Sequence, residues 1–441
     1  MGRRKFTAAM AIFMNGERVG SLHRLSSGKL EMLYDEQWCQ RTQNRSISLS
    51  LPAVNRRHSG AAVEHYFDNL LPDSLPIRTR IQAQFGLGRN DCFELLWHIG
   101  RDCIGAVQLL PEDALPPDVR KIEAVPIADE GIRSMLQNYQ SQPLGMSSDG
   151  DFRISIAGAQ EKTALLWHQG RWHRPYGATP TTHILKLPIG KLEHHGMDLS
   201  KSVENEWLCH LLLKAFGLPV ANMQMNDFGG TSVLVVERFD RRWSQDGKNW
   251  IIRLPQEDMC QALGVPAALK YESHGGPGIE PIMHLLTGSA NSMEGRSTFM
   301  KALFVFWLLG AIDGHAKNFS LFLRPGGTYR LTPLYDVISA YPLMASRQLP
   351  KQKVKMAMAV RGRSRHYEWN RIQLRHWLNT ARYCQFSEET MAGIMAESLT
   401  RIDGAISEVE RQLPSDFPAD IATPIFEMLM KMQQKHRVDQ L

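Results

Sequence analysis

The chain has 441 residues, 43% of them hydrophobic and 22% charged, which is ordinary for a globular protein with two or three full-sized cores. No apolar run approaches the roughly 18–20 residues that cross a bilayer. The six cysteines (Cys39, Cys92, Cys103, Cys209, Cys260, Cys384) are scattered and form no CxxC pair, so neither a zinc site nor a disulfide framework is supported. The net charge of +6 is local: Arg347 to Arg382 carry ten Lys or Arg against Glu368 alone, so the remainder is slightly acidic and one localised anionic partner is implied.

In chain order, the first apolar stretch, Ala8 to Met14, leads into Asn15-Gly16, a hairpin-turn pair. It reads as a first strand rather than a leader, and the cytoplasm is the expected compartment. Residues 1–115 alternate in short segments broken by Asn15-Gly16, Ser27-Gly28 and Gly105, the pattern of a mostly-β module, with one or two short helices in FDNLLPDSLPIRTRIQAQFGL. The prolines of LLPEDALPPDV mark the first boundary. Residues 116–255 read as a β-rich lobe (ISIAGAQEKTALLWH, THILKLP, TSVLVVERFD) with one main helix, in which Val203, Trp207, Leu211 and Ala215 recur every fourth residue and Gly217 closes the run. From 256 to 441, apolar residues recur at helical spacing, giving a helical C-terminal lobe.

Within that lobe, nine nearly unbroken apolar residues from Phe304 to Ile312 run straight into Asp313, His315, Lys317 and Asn318. Such an ending is either the wall of a site or an ordinary polar turn. Asp313 and Asn318 have the D-x-x-x-x-N spacing at which phosphoryl-transfer enzymes place an acid that accepts a hydroxyl proton and an amide that holds a metal. Asp336, behind the β-type stretch TYRLTPLYD, is a candidate metal carboxylate.

The β-rich lobe offers matching stations. Lys186 in THILKLP lies on a pleated, half-buried strand, where an ammonium is costly unless it meets an anion or snorkels to water; Glu204 and Glu206 both remain open as its partners, Glu206 being the preferred one. VLVVERFD ends an apolar strand at Glu237, where main-chain groups can meet adenine and Phe239 can pack on the ring, although a plain core strand would look the same. SIAGAQEKT places small residues Ala157, Gly158 and Ala159 between Ser155 and Gln160, which lets N–H groups approach a phosphate, with Lys162 adding charge. It is neither a Walker A sequence nor G-x-G-x-x-G, and a plain turn also fits. The basic stretch 347–382 reads as a phosphate-tracking face or as a solvated face around helices.

Taken in order, FDNLLP, IGRDCIGAV, DFRISIAGAQEKTAL, TPTTHILKLPIG, VERFDRRW, RLPQEDMCQ, GAIDGHAKNFS and YRLTPLYDVISAYP make the chain resemble the HipA-type serine/threonine kinases, toxins of bacterial toxin–antitoxin pairs, over almost its full length. The resemblance implies an α+β, two-lobed kinase-like fold and a cytoplasmic enzyme. With ATP and Mg²⁺ it would phosphorylate a serine of glutamyl-tRNA synthetase, so that translation stalls and cells enter dormancy. It also implies a partner, the helix-turn-helix dimer HipB, and repression of the operon by the complex on operator DNA. By the matching motifs, Asp313 would be the base, and Asn318 and Asp336 the Mg²⁺ ligands. Lys186 would bind the α and β phosphates, and Glu237, Arg238 and Phe239 would form the adenine hinge. His315, Ala316, Lys317 and Asn318 would line the ATP site, with Ala157, Gly158, Ala159, Gln160, Glu161 and Lys162 as the phosphate loop. Ser155 would be the autophosphorylated serine, whose modification expels the loop. Gly314-His315 and Asp336-Val337 depart from eukaryotic kinase patterns but follow this family's own. The family's operator-contacting basic pair falls on Arg382 and Gln385, so one cation survives. A DNA-bound co-repressor without kinase activity is the competing reading.

Overall fold

The computed structural model describes residues 6–138, 155–158, 160–192, 196–246 and 250–436. The chain packs as two compact units built from non-consecutive stretches: 1–187, 226–268 and 320–329 in one, 188–225, 269–319 and 330–441 in the other. The sequence boundaries at 115 and 255 cut the chain along its length, whereas packing rejoins distant pieces.

The first unit is mostly β. Phe6–Met14 turns at Asn15-Gly16, both with positive φ, and pairs antiparallel with Glu17–Leu25, Met14 opposite Glu17. Five strands follow the order Arg57–Ser59, Leu30–Tyr34, Glu17–Leu25, Phe6–Met14, Val107–Pro111. One face is closed by helices Ala61–Asp68 and Cys92–Ile99, which supply Val63, Phe67, Leu95 and Leu96 to the core. The helix Leu75–Gln84 fits the short helices expected there; Cys92–Ile99 was not legible as one, because its apolar run is too short to separate helix from strand by period. A second antiparallel sheet joins Ser232–Glu237, His183–Lys186, Lys162–His168, Arg171–Pro175 and Ala124–Pro126 over a core of Leu165, Leu185, Val233 and Val235.

A buried acid ties this unit together. Glu257 accepts from Ser48 Oγ at 2.5 Å and from the Leu49 N–H at 2.8 Å, and burial pushes its carboxyl from 4.5 up to about 8. The folded chain therefore holds a proton that the unfolded chain has released. Its contribution is complete below about pH 4.5 and is lost as pH rises toward 8. Thermal midpoints of the wild type should decline across that window, and Glu257→Gln, which keeps shape and hydrogen bonding, should flatten the decline; parallel profiles would sink the assignment.

The second unit is helix-rich. Ser202–Ala215, the main helix expected, packs with Ser292–Leu309, Glu388–Glu410 and Ala419–Lys435. The helical reading of 256–441 is interrupted by strands, notably the hairpin Lys355–Arg361 with Arg365–Glu368 inside the basic stretch. Met356 to Val360 are all buried, and a five-residue apolar run carries too little periodicity to show it is a strand. All six cysteines are free thiols, and no helix among the described residues is long and apolar enough to cross a membrane.

Candidate active site

The helix Ser292–Leu309 explains the site's rigidity. Phe304 to Leu309 are all buried, and the helix stops at Gly310, which takes φ +61°. A Cβ there would meet the Tyr341 ring at 2.5 Å, so only glycine serves both the left-handed cap and the contact. The next turn is pressed equally close, since a Cβ on Gly314 would lie 2.7 Å from the Phe306 ring. The polar residues are thus fixed to the end of a packed rod. Asp313 is solvent-accessible, while His315, Lys317 and Asn318 are buried around the single turn Ala316–Asn318.

Asp336 is brought to the same place. Ser339 Oγ donates to Leu309 O, Tyr341 Oη to Leu308 O and the Ala340 N–H to Gly310 O. Asn205, on Ser202–Ala215, exchanges two amide hydrogen bonds with the Ser339 main chain. Held so, Asp336 adopts φ +62°, a conformation that a non-glycine residue takes at a cost and that concentrates at functional sites. Asn318 Nδ2 lies 3.3 Å from Asp336 Oδ2, and Asn318 Oδ1 accepts the His315 N–H at 3.2 Å.

Asp313 is raised above the usual carboxylate range, first by desolvation and further by Asp336; the Tyr271 hydroxyl and Lys270 oppose this. Tyr271 Oη donates to Asp313 Oδ1 at 2.7 Å, and its ring meets His315 edge-on at 5.0 Å. Sequence reasoning missed Tyr271. It stands 42 positions before its partner, in a segment with no motif.

The second sheet carries the other stations. Lys186 is buried and sits directly opposite Lys162 on one neighbouring strand and Leu234 on the other. Directly opposed residues of an antiparallel pair share a face, so the two lysines stand side by side on the sheet. The Lys162 Nζ also lies 2.5 Å from where a Cβ on Gly158 would stand; Gly158 has φ +111°. Gln160 donates to Leu187 O and Glu161 pairs with Arg80, so the C-terminal half of the loop is fastened. Ala159 lies outside the described residues. Ser155 is fully buried, its hydroxyl donating to Leu70 O at 2.7 Å and its N–H to Asp102 O at 3.1 Å.

Glu237 is exposed at the strand end and Phe239 is half-buried, edge-on to Phe322 at 5.7 Å. Arg238 lies between them with its side chain buried. Its guanidinium is enclosed by Asp102, Asp240, Thr181 and the Cys103 carbonyl, which leaves any hinge role to its main chain. Of the two acids proposed for Lys186, Glu206 is buried and Glu204 half-buried. Arg382 is exposed and gripped at 2.7–2.8 Å by both carboxylate oxygens of Glu388.

The residues fit a hard cation. Asp336 offers carboxylate oxygens; Asn318 here turns its Nδ2 to Asp336 and its Oδ1 to the His315 N–H, so it would add an oxygen ligand once its amide turned over, and a cation would relieve the repulsion that Asp336 adds to the desolvation of Asp313. No group of three or more His, Cys, Asp or Glu that could hold a metal ion occurs among the described residues.

Comparison with known proteins decides the family. The model of the HipA-like C-terminal domain matches residues 154–406, and that of the HipA N-terminal domain residues 10–110. The chain belongs to the HipA family. It is 34% identical over 355 residues to the putative kinase Y4mE of Sinorhizobium fredii, covering 79% of this chain and 81% of that protein. It is 29% identical over 317 residues to the serine/threonine-protein kinase toxin HipA of Shewanella oneidensis, covering 69% of each. A chain from the solved complex of Shewanella oneidensis HipA, HipB and operator DNA has the same fold, with a TM-score of 0.81 at 23% identity over 98% of both chains. The HipA-family fold is therefore α+β, as expected from the sequence.

Proposed function

We propose that this HipA-family chain is a protein-serine/threonine kinase using ATP and Mg²⁺, the toxin half of a toxin–antitoxin pair. The observation that carries the reading is the Asn318–Asp336 pair, with the acid in left-handed backbone and Asn318 five residues beyond the candidate base Asp313. The kinase names of its relatives support it. Asp313 accepts the proton of the acceptor serine as its oxygen bonds to the γ-phosphorus and the bridging bond to ADP breaks. Tyr271 fixes one oxygen of that base, leaving the other for the hydroxyl. Lys186 and Lys162 offset phosphate charge, and Glu237 to Phe239 present the hinge. Asn318 and Asp336 would hold Mg²⁺, which supplies charge neutralisation on the phosphate oxygens.

The expected substrate is a serine of glutamyl-tRNA synthetase, whose modification would stall translation and favour dormancy and persistence in the cytoplasm. Ser155 would be the self-inactivation site. An antitoxin of the HipB kind would join the chain on operator DNA, with the basic stretch 347–382, Arg382 included, facing the phosphates. In this reading residues 1–115, 116–255 and 256–441 act as N-terminal module, ATP-binding lobe and catalytic lobe.

Purified protein given γ-labelled ATP, Mg²⁺ and a cell lysate should label one synthetase-sized protein. Label transferred to no protein would leave the inactive co-repressor. Tyr271→Phe should lower kcat by about tenfold with little change in KM for ATP. It removes a hydrogen bond that favours the carboxylate, so the acidic limb of the pH–rate profile should move to higher pH. An unchanged limb would leave Tyr271 outside the mechanism.

A further inference from the structure

The first unit contains a group of charges that the proposed chemistry does not use. Asp102, Asp240, Arg238, Arg241 and Arg253 are all buried and form one connected network. Asp102 Oδ1 accepts from Arg241 at 2.9 Å and from Arg253 at 3.2 Å. Its Oδ2 accepts from Arg238 at 3.3 Å and from Thr181, through both the hydroxyl at 2.7 Å and the N–H at 3.2 Å. Thr181 Oγ1 in turn accepts from Arg238 at 2.8 Å. Asp240 takes two bonds from Arg238, one from Arg241 and one from the Gly105 N–H.

Three guanidinium groups face two carboxylates. Arg253 Nη1 and Arg241 Nε have no hydrogen-bond partner among the described residues, and burial pushes Arg253 down to about 10. A dry cluster with a surplus cation is a poor way to gain stability, since an apolar core of the same volume does as well or better. What such a cluster can supply is a fixed geometry. Here it fixes three segments at once. Arg238 lies inside the hinge Glu237 to Phe239. Thr181 precedes the strand His183–Lys186 that carries the phosphate lysine. Asp102 holds the Ser155 N–H with its own carbonyl.

We propose that Asp102 and Thr181 are positioning residues that couple the seating of the Ser155 segment to the hinge and to the Lys186 strand, so that release of one loosens the others. The inference deepens the kinase reading, because it says how a change at Ser155 reaches the adenine end of the site.

The test compares Thr181→Val, which keeps the shape and removes the hydroxyl, with Thr181→Ser, which retains it. Hydrogen exchange is followed at the Ser155 amide and at 236–240 in nucleotide-free protein, and KM for ATP is measured beside kcat. Thr181→Val should lose protection at both places together and raise KM for ATP roughly tenfold, the size of one lost hydrogen bond to a charged group. Thr181→Ser should restore both. If Thr181→Val does not accumulate as folded protein, Thr181→Cys takes its place. A lowered thermal midpoint with unchanged KM and unchanged Ser155 protection would show a merely structural network and overturn the proposal. The exchange measurement needs no catalysis, so it decides the coupling even if the wild type transfers no phosphate, and that transfer assay separately decides the kinase reading.

Discussion

Asp313→Asn should reduce phosphoryl transfer by about 10²–10⁴-fold, the range lost with a general base, while ATP binding survives. The substitution is nearly isosteric. The asparagine Oδ1 can still accept the Tyr271 hydroxyl that now donates to the carboxylate at 2.7 Å, so the turn 311–318 has no reason to move. What disappears is the lone pair that takes the serine proton. Removing the charge also ends the repulsion from Asp336, which already opposes ionisation of Asp313, so the affinity for MgATP should be unchanged or slightly improved. The measurement is transfer of label to protein substrate beside nucleotide affinity by calorimetry. Undiminished labelling would remove Asp313 as the base. Loss of both binding and labelling would mean that it holds the metal instead.

The parts of the site that could be read in the sequence are those where polar residues interrupt an apolar run. Asp313 to Asn318 stood out because a nearly unbroken apolar run leads into them, and Lys186 because an ammonium on a half-buried strand must either meet an anion or snorkel to water. Short motifs could also be placed on elements of the right kind. What could not be read was made by tertiary pairing. Lys162 opposite Lys186 is a register between strands separated by a second hairpin. Tyr271 meets Asp313 across 42 positions. Nothing in VERFD shows that the Arg238 guanidinium is shared between Asp240, two positions on, and Asp102, 136 positions away. Mixed chain order within each unit had no local signature either, because compactness follows which strands pair and not where they fall along the chain.

Ser155→Asp should abolish ATP binding, and Ser155→Ala should yield a kinase that never switches itself off. The reason is the enclosure of the serine. Its side chain is fully buried, its hydroxyl donates to Leu70 O and its N–H to Asp102 O, and Ile156 beside it is buried too. A phosphate brings roughly −1.5 to −2 charge and three acceptor oxygens, more volume and charge than a site that encloses one hydroxyl accommodates. The expected result is that the modified segment leaves its seat and ATP binding is lost with it. The buried hydroxyl is also unreachable in the seated state, so transfer to Ser155 has to follow opening of 155–158 and should be slow beside transfer to a protein substrate. In Ser155→Ala one carbonyl, that of Leu70, loses its donor, a loss of about 1–3 kcal/mol that should lower the thermal midpoint modestly without disturbing the fold. Intact-mass time courses with MgATP separate the cases: the wild type should gain one phosphate and lose ATP binding in step, and the alanine protein should do neither. If the wild type stays unmodified at Ser155 while both proteins keep the same activity over the same period, the enclosure of Ser155 is packing and not a switch.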